Sequence, residues 1–303
     1  MPSTAHRAFV LALGLIPGRV IDKALTQPAR RKRSTVAPKS LATSYDVTET
    51  SVAGRTVVTA RPRSGGEVGA GLSTGLGTGR HLFYLHGGAY TVEDNHWSLL
   101  RLLVDRGWTV HLYDYPLAPE HTVDETVPAT LEAWSHVVEL ADGAPVDLAG
   151  DSAGGGLATV LLQVLRDRDV PRHERPARTV LFSPWVELVM DDAATIAAAK
   201  DDVLLSLTGL RGCVDLYRGT RDASDPWLSP IHGGLHDLGE IQAWVGTAEM
   251  FQPQCERFAD LAAGAPDTDL ELRLGHDLLH AWPIFPVPEQ KLVVDEMATF
   301  LTR

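Results

Sequence analysis

Short apolar runs alternating with longer stretches of helical period restrict the fold of this chain more than any other feature. Residues 81–85, 108–113, 146–149, 179–182, 242–245 and 270–274 read as strands, while helical spacing recurs around 99–104, 127–140, 157–165, 255–261 and 292–301. Runs this short and apolar fit strands buried on both faces, and a helix between two of them lets neighbouring strands run parallel. The pattern predicts an α/β fold, a mostly parallel sheet with helices on both faces. Residues 47–52 and 56–60 add an opening pair of strands. At 303 residues, 44% of them hydrophobic, the chain can bury one large core, and no internal repeat divides it. Two helical segments fall outside the alternation. Residues 1–45 are expected to form N-terminal cap helices, and about 191–222 a cap insertion within a main domain of residues 46–303.

The strongest chemical signal is Gly150-Asp151-Ser152-Ala153-Gly154, a G-x-S-x-G pentapeptide between the strand 146–149 and the helical run 155–165. In that context the serine sits on a sharp strand-to-helix turn that lifts its hydroxyl off the sheet. The helix N-terminus behind it favours developing negative charge. A chance glycine-rich turn would carry the same five residues, but without the strand and helix around it. His86-Gly87-Gly88-Ala89 closes the strand 81–85. Successive glycines let backbone N–H groups approach a substrate oxygen, so those of Gly87, Gly88 and Ala153 are candidate donors of an oxyanion hole. A tight turn is the alternative for that motif alone. Together, in this chain order, the two motifs point to Ser152 as a nucleophile acting on an acyl carbon.

Read with their neighbours, these motifs resemble the hormone-sensitive-lipase-like family of α/β-hydrolases. The likeness is carried by His86-Gly87-Gly88-Ala89-Tyr90, Asp114-Tyr115-Pro116-Leu117-Ala118-Pro119-Glu120 and Gly150-Asp151-Ser152-Ala153-Gly154-Gly155. Asp225-Pro226-Trp227-Leu228-Ser229-Pro230 and Leu278-Leu279-His280-Ala281-Trp282 extend it to the C-terminal region. The resemblance implies the α/β-hydrolase fold with an N-terminal helical cap. It also implies carboxylic-ester hydrolysis of the esterase, acetyl-hydrolase or deacetylase kind, without metal or other cofactor. Pro116 and Ala89 stand where many members have Arg and Gly, and the usual Asp-Pro-Leu acid motif is missing.

A triad in this fold runs serine, acid, histidine along the chain. His280 lies just past the last strand, where the family's base belongs. His86 is expected to shape the oxyanion loop, and His111, His232 and His236 to be structural or surface residues. For the acid, the strand 241–245 ends at Gly246, and Glu249 follows with Pro253 four residues later. This resembles the G-x-x-D-x-x-x-P arrangement of many α/β-hydrolases and makes Glu249 the candidate. Glu256 and Asp260 come later on the next helix, Asp277 sits on the wrong loop, and a solvated glutamate at a strand end is the bland alternative.

The expected substrate is a small short-acyl ester, cleaved through an acyl-enzyme. Trp97, Trp185 and Trp282 either line its pocket or pack in the core. The same triad would serve a lactonase, an amidase or a deacetylase. The fold also carries non-catalytic ligand receptors, which usually lose a triad member.

The net charge of −12 argues against a nucleic-acid partner, and the basic run at 30–33 reads as a solvated connector. The glycine-rich stretch from Gly65 to Gly79 lacks phosphate-loop and dinucleotide spacing, so it is expected to be a surface loop. Cys213 and Cys255 suggest buried thiols rather than a disulfide framework. His276-x-x-x-His280 lacks the glutamate and the helix that a zinc site of that type needs. No apolar run reaches spanning length, so no membrane partner is expected. Residues 8–16 are apolar but offer no small-x-small cleavage site, which favours an amphipathic helix over an export signal and hence a cytoplasmic location. Homo-oligomerisation stays open.

Overall fold

The computed structural model describes residues 1–27, 37–63, 77–92 and 96–303; the basic run at 30–33 and the glycine-rich stretch up to residue 76 lie outside them. Ten helices are described: α1 (Thr4–Gly14), α2 (Gly18–Thr26), α3 (Leu41–Ser44), α4 (Trp97–Val104), α5 (Val123–Ala141), α6 (Ala153–Asp167), α7 (Ala193–Ala198), α8 (Leu207–Tyr217), α9 (Gln252–Ala262) and α10 (Pro288–Leu301). The eight strands are β1 (Asp46–Val52), β2 (Arg55–Arg61), β3 (His81–Leu85), β4 (Thr109–Tyr113), β5 (Val146–Asp151), β6 (Thr179–Phe182), β7 (Gly239–Gly246) and β8 (Thr268–Gly275).

The strands form one sheet in the order β1-β2-β4-β3-β5-β6-β7-β8. The β1–β2 and β2–β4 pairs are antiparallel and the rest parallel. Side chains alternate between two cores, as the strand period of two requires. Phe83, Leu85, Leu181, Ala243 and Val245 enter the core built with α5, α6 and α9. Leu82, Tyr84, Val180, Phe182 and Trp244 enter the other, built with α4 and α10. All six residues of β5 are buried, so the central strand ends deep within the sheet, where the next residue is Ser152.

The two helical segments outside the alternation meet each other. Ser206 caps the N-terminus of α8 by accepting from the Gly209 N–H at 3.0 Å, and its hydroxyl donates to Asp22 Oδ1 on α2 at 2.5 Å. A Cβ on Gly209 would lie 2.4 Å from that same carboxylate oxygen, so a larger residue there would displace the Asp22 side chain from its bond to Ser206. On its inner face α1 packs Phe9, Val10 and Leu13 against the second core, with the Phe9 ring 5.0 Å from that of Phe285. Among the described residues no helix is long and apolar enough to cross a membrane.

Candidate active site

Ser152 occupies the single residue between the end of β5 and the start of α6, with φ 52° and ψ −122°. An L-residue reaches positive φ only under steric strain, which the surroundings must hold in place. They do so through the backbone. The Ser152 N–H donates to the Phe182 carbonyl at 2.9 Å, and the Ser152 carbonyl accepts from Trp185 N at 2.9 Å. A Cβ on Gly154 would fall 2.1 Å from the Leu85 carbonyl oxygen, so a glycine is needed where α6 begins against the end of β3.

His280 lies beyond β8 and is buried, and its Nδ1 is 2.5 Å from Glu249 Oε2. The other Glu249 oxygen accepts from the Ser183 hydroxyl at 2.5 Å and from the Gly246 N–H at 2.7 Å. Ser183 Oγ in turn accepts from the N–H of Ala281, next to the imidazole, at 2.9 Å. One buried serine thus ties the carboxylate to the histidine loop. Burial by itself lowers the His280 pKa, but the Glu249 charge and hydrogen bond, with smaller contributions from Asp202 and Asp151, outweigh it and leave the imidazole above its ordinary value. Asp277 is exposed, and its backbone N–H binds Thr247 Oγ1 at 2.8 Å.

The oxyanion loop differs from expectation at one residue. The Gly87 N–H points at Asp151 Oδ1, 3.0 Å away, rather than into the site. That oxygen also accepts from Tyr84 OH at 2.8 Å and lies 2.8 Å from His96 Nε2. Burial would raise the Asp151 pKa, but His96, Tyr84 and His86 more than offset it and hold it below the usual carboxylate range. A buried carboxylate needs several donors, and the Gly87 amide is one of them. The residues that face the cavity are instead Gly88 and Ala89. Gly88, Ala89 and Tyr90 all have positive φ (106°, 54° and 62°), which turns the loop sharply. His86 stacks on Tyr115 at 4.4 Å between ring centres, and Tyr115 OH donates to the His86 carbonyl at 2.6 Å. Ala153 is the first residue of α6, so its N–H has no acceptor within the helix.

Ser152, His280, Gly88 and Ala89 open onto one cavity of about 220 Å³. Its apolar wall includes Ile21 and Leu25 from α2, and Leu204, Leu205 and Leu210 from the 191–222 segment. None of the three tryptophans lines it. Trp185 lies buried between Tyr90 and Phe251, Trp282 packs edge-on to Trp244, and Trp97 is buried in the second core. Bulky indoles fill the layers between sheet and helices, and branched aliphatics shape the cavity.

Three polar residues went unremarked in the sequence. Ser183 and His96 carry no local signal, because their partners lie in distant segments. Asp202 accepts from Leu204 N at 2.8 Å and Leu205 N at 2.9 Å through Oδ1, and from Met250 N at 2.9 Å through Oδ2. One carboxylate thereby joins the cavity wall to the residue following Glu249. Cys213 and Cys255 are both buried, and burial pushes the Cys255 thiol well up. His276 is exposed while His280 is buried, and no group of three metal-binding side chains occurs among the described residues.

A family model described as alpha/beta hydrolase fold matches residues 82–284. An acetyl-hydrolase of Streptomyces hygroscopicus is 34% identical over 233 residues, covering 74% of this chain and 75% of that protein. An esterase of Acinetobacter venetianus is 29% identical over 230 residues, with 73% and 74% covered. The crystal structure of EstE7, a hormone-sensitive-lipase homologue from a metagenome library, superposes with a TM-score of 0.79 at 24% identity, over 100% of this chain and 99% of that one.

Proposed function

The chain belongs to the hormone-sensitive-lipase-like family of α/β-hydrolases and is a carboxylesterase-type hydrolase, and on that footing we propose that Ser152, His280 and Glu249 cleave short-acyl esters by way of an acyl-enzyme. The observation that carries the reading is one buried chain of groups: a strained serine at a cavity, a histidine on the same cavity, and a carboxylate 2.5 Å from that histidine's far nitrogen.

In this mechanism His280 Nε2 takes the Ser152 proton as Oγ attacks the ester carbonyl. Glu249 fixes the tautomer with hydrogen on Nδ1 and stabilises the imidazolium. The tetrahedral oxyanion receives hydrogen bonds from the N–H groups of Gly88, Ala89 and Ala153, with Asp151 holding the loop through Gly87. His280 then protonates the departing alcohol, and water, activated by the same base, releases the acid from Ser152. The cavity volume of about 220 Å³ falls below the roughly 300 Å³ at which pockets for drug-sized ligands begin. That size and the aliphatic wall favour a short acyl chain. The N-terminal helices and the 191–222 segment serve as the cap, since α2 and that segment supply the wall.

The test is Ser152→Ala, measured on soluble esters of increasing acyl length together with a matched lactone and anilide. We expect activity to fall to background, while the wild type prefers short acyl esters and is labelled stoichiometrically at Ser152 by an organophosphate. A wild-type rate that climbs steadily with acyl length, or residual turnover in the pure variant, would defeat the proposal.

A further inference from the structure

Among the described residues, the outer face of the α1–α2 corner is apolar and exposed. Five of the ten exposed large hydrophobics among the described residues fall within the first 20 positions, namely Met1, Leu11, Leu15, Ile16 and Val20, with Leu11 and Leu15 at 73% and 84% exposure. A helix lying on a protein normally turns charge outward. Here the inner face of α1 packs Phe9, Val10 and Leu13 on the core, yet its outer face presents Ala8, Leu11 and Ala12, and Arg7 is its one charged side chain.

The charge of this end is opposite to that of the rest. Residues 1–39 contain eight Lys and Arg against the single acid Asp22, whereas residues 40–303 contain 19 against 38 acids. An apolar corner within a basic segment fits an anionic bilayer, where burial of side chains at the headgroup boundary and attraction to acidic lipids act together. A second copy fits poorly. A two-fold contact lays the same patch on itself, bringing Arg7, Arg19 and Lys23 of one copy against those of the other.

We propose that the α1–α2 corner docks this enzyme on an anionic lipid surface, through Leu11, Leu15, Ile16 and Val20 flanked by Arg7 and Arg19. The acidic remainder is repelled by the same surface, so docking has one orientation. It sets α2 against the lipid, and α2 carries Ile21 and Leu25 on the cavity wall. Esters dissolved in the bilayer then lie beside the helix that walls the site. This is peripheral attachment; a spanning helix, which the sequence argues against, is a different mode of contact.

The experiment is flotation of the full chain with vesicles of phosphatidylcholine alone or mixed with phosphatidylglycerol, at low and high salt. Wild type is expected to float with the anionic vesicles, to be weakened by salt, and to ignore the neutral ones. In Leu11→Glu/Leu15→Glu, binding should fall by about tenfold or more, with hydrolysis of a soluble short ester unchanged. Ser152→Ala should float like wild type, which separates docking from the catalytic reading. The proposal is overturned if wild type stays unbound, binds neutral and anionic vesicles alike, or floats no better than the double variant. It is also overturned if wild type runs as a dimer that the double variant converts to monomer.

Discussion

Replacing Glu249 with glutamine changes one atom of the carboxylate, and the structure sets the size of the effect. The Glu249 side chain is fully buried and that of His280 is 5% exposed, so water cannot substitute for the lost charge. The Gln carbonyl would take the place of Oε1, where Ser183 and Gly246 donate at 2.5 and 2.7 Å. Its NH₂ group then faces His280 Nδ1, where a carboxylate oxygen had accepted at 2.5 Å. An amide donor there favours the imidazole tautomer with hydrogen on Nε2, the wrong one for taking the Ser152 proton. The analogous change in a serine protease costs about ten-thousandfold in kcat, equivalent to about 5 kcal/mol of transition-state stabilisation. We expect a loss of about a thousandfold to ten-thousandfold here. A second signature follows from the pKa. Glu249 is the main group raising His280 against its burial, so in the variant the imidazole drops and the ascending limb of the pH–rate curve moves to lower pH. The assay is kcat and kcat/KM on one soluble short-acyl ester across the imidazole range, with Asp277→Asn as control. Near-normal turnover in Glu249→Gln, or a crippled Asp277→Asn, would refute the reasoning.

In the wild type the base must be unprotonated, so kcat/KM should rise with pH, with its midpoint above the ordinary imidazole value because His280 is raised; a flat profile would remove His280 as base. Ser183→Ala removes a donor to Glu249 and the acceptor for the Ala281 N–H, and should cost about 10- to 100-fold in kcat. Unchanged kcat with a lowered melting temperature would leave Ser183 a purely structural role. Asp202→Asn removes a group that raises His280 and one anchor between Leu205 and Met250. The acid limb should shift to lower pH and selectivity between short and medium acyl esters should narrow, and an unaltered pH profile and acyl series would count against this role.

Much of this protein is legible in its sequence because the relevant signals are local. Strand positions follow from short apolar runs, and all eight recur within a few residues of where the pattern places them. The elbow is legible because β5, Ser152 and α6 are contiguous, so one pentapeptide contains the strain, the glycines and the helix start. That Glu249 and His280 meet follows from their places after β7 and β8, since a parallel sheet delivers successive strand ends to the same edge. Tertiary structure alone decided that the Gly87 N–H is claimed by Asp151, 64 residues away. It likewise decided that the tryptophans pack in the core, since an indole's hydrophobicity is the same signal in a core as in a pocket. Ser183, 66 residues from Glu249 and 98 from Ala281, and Asp202, 48 from Met250, carry no mark in sequence. Their roles are hydrogen bonds between segments that only the folded sheet brings together, and a lone serine or aspartate looks the same whether it faces solvent or a buried carboxylate's neighbour.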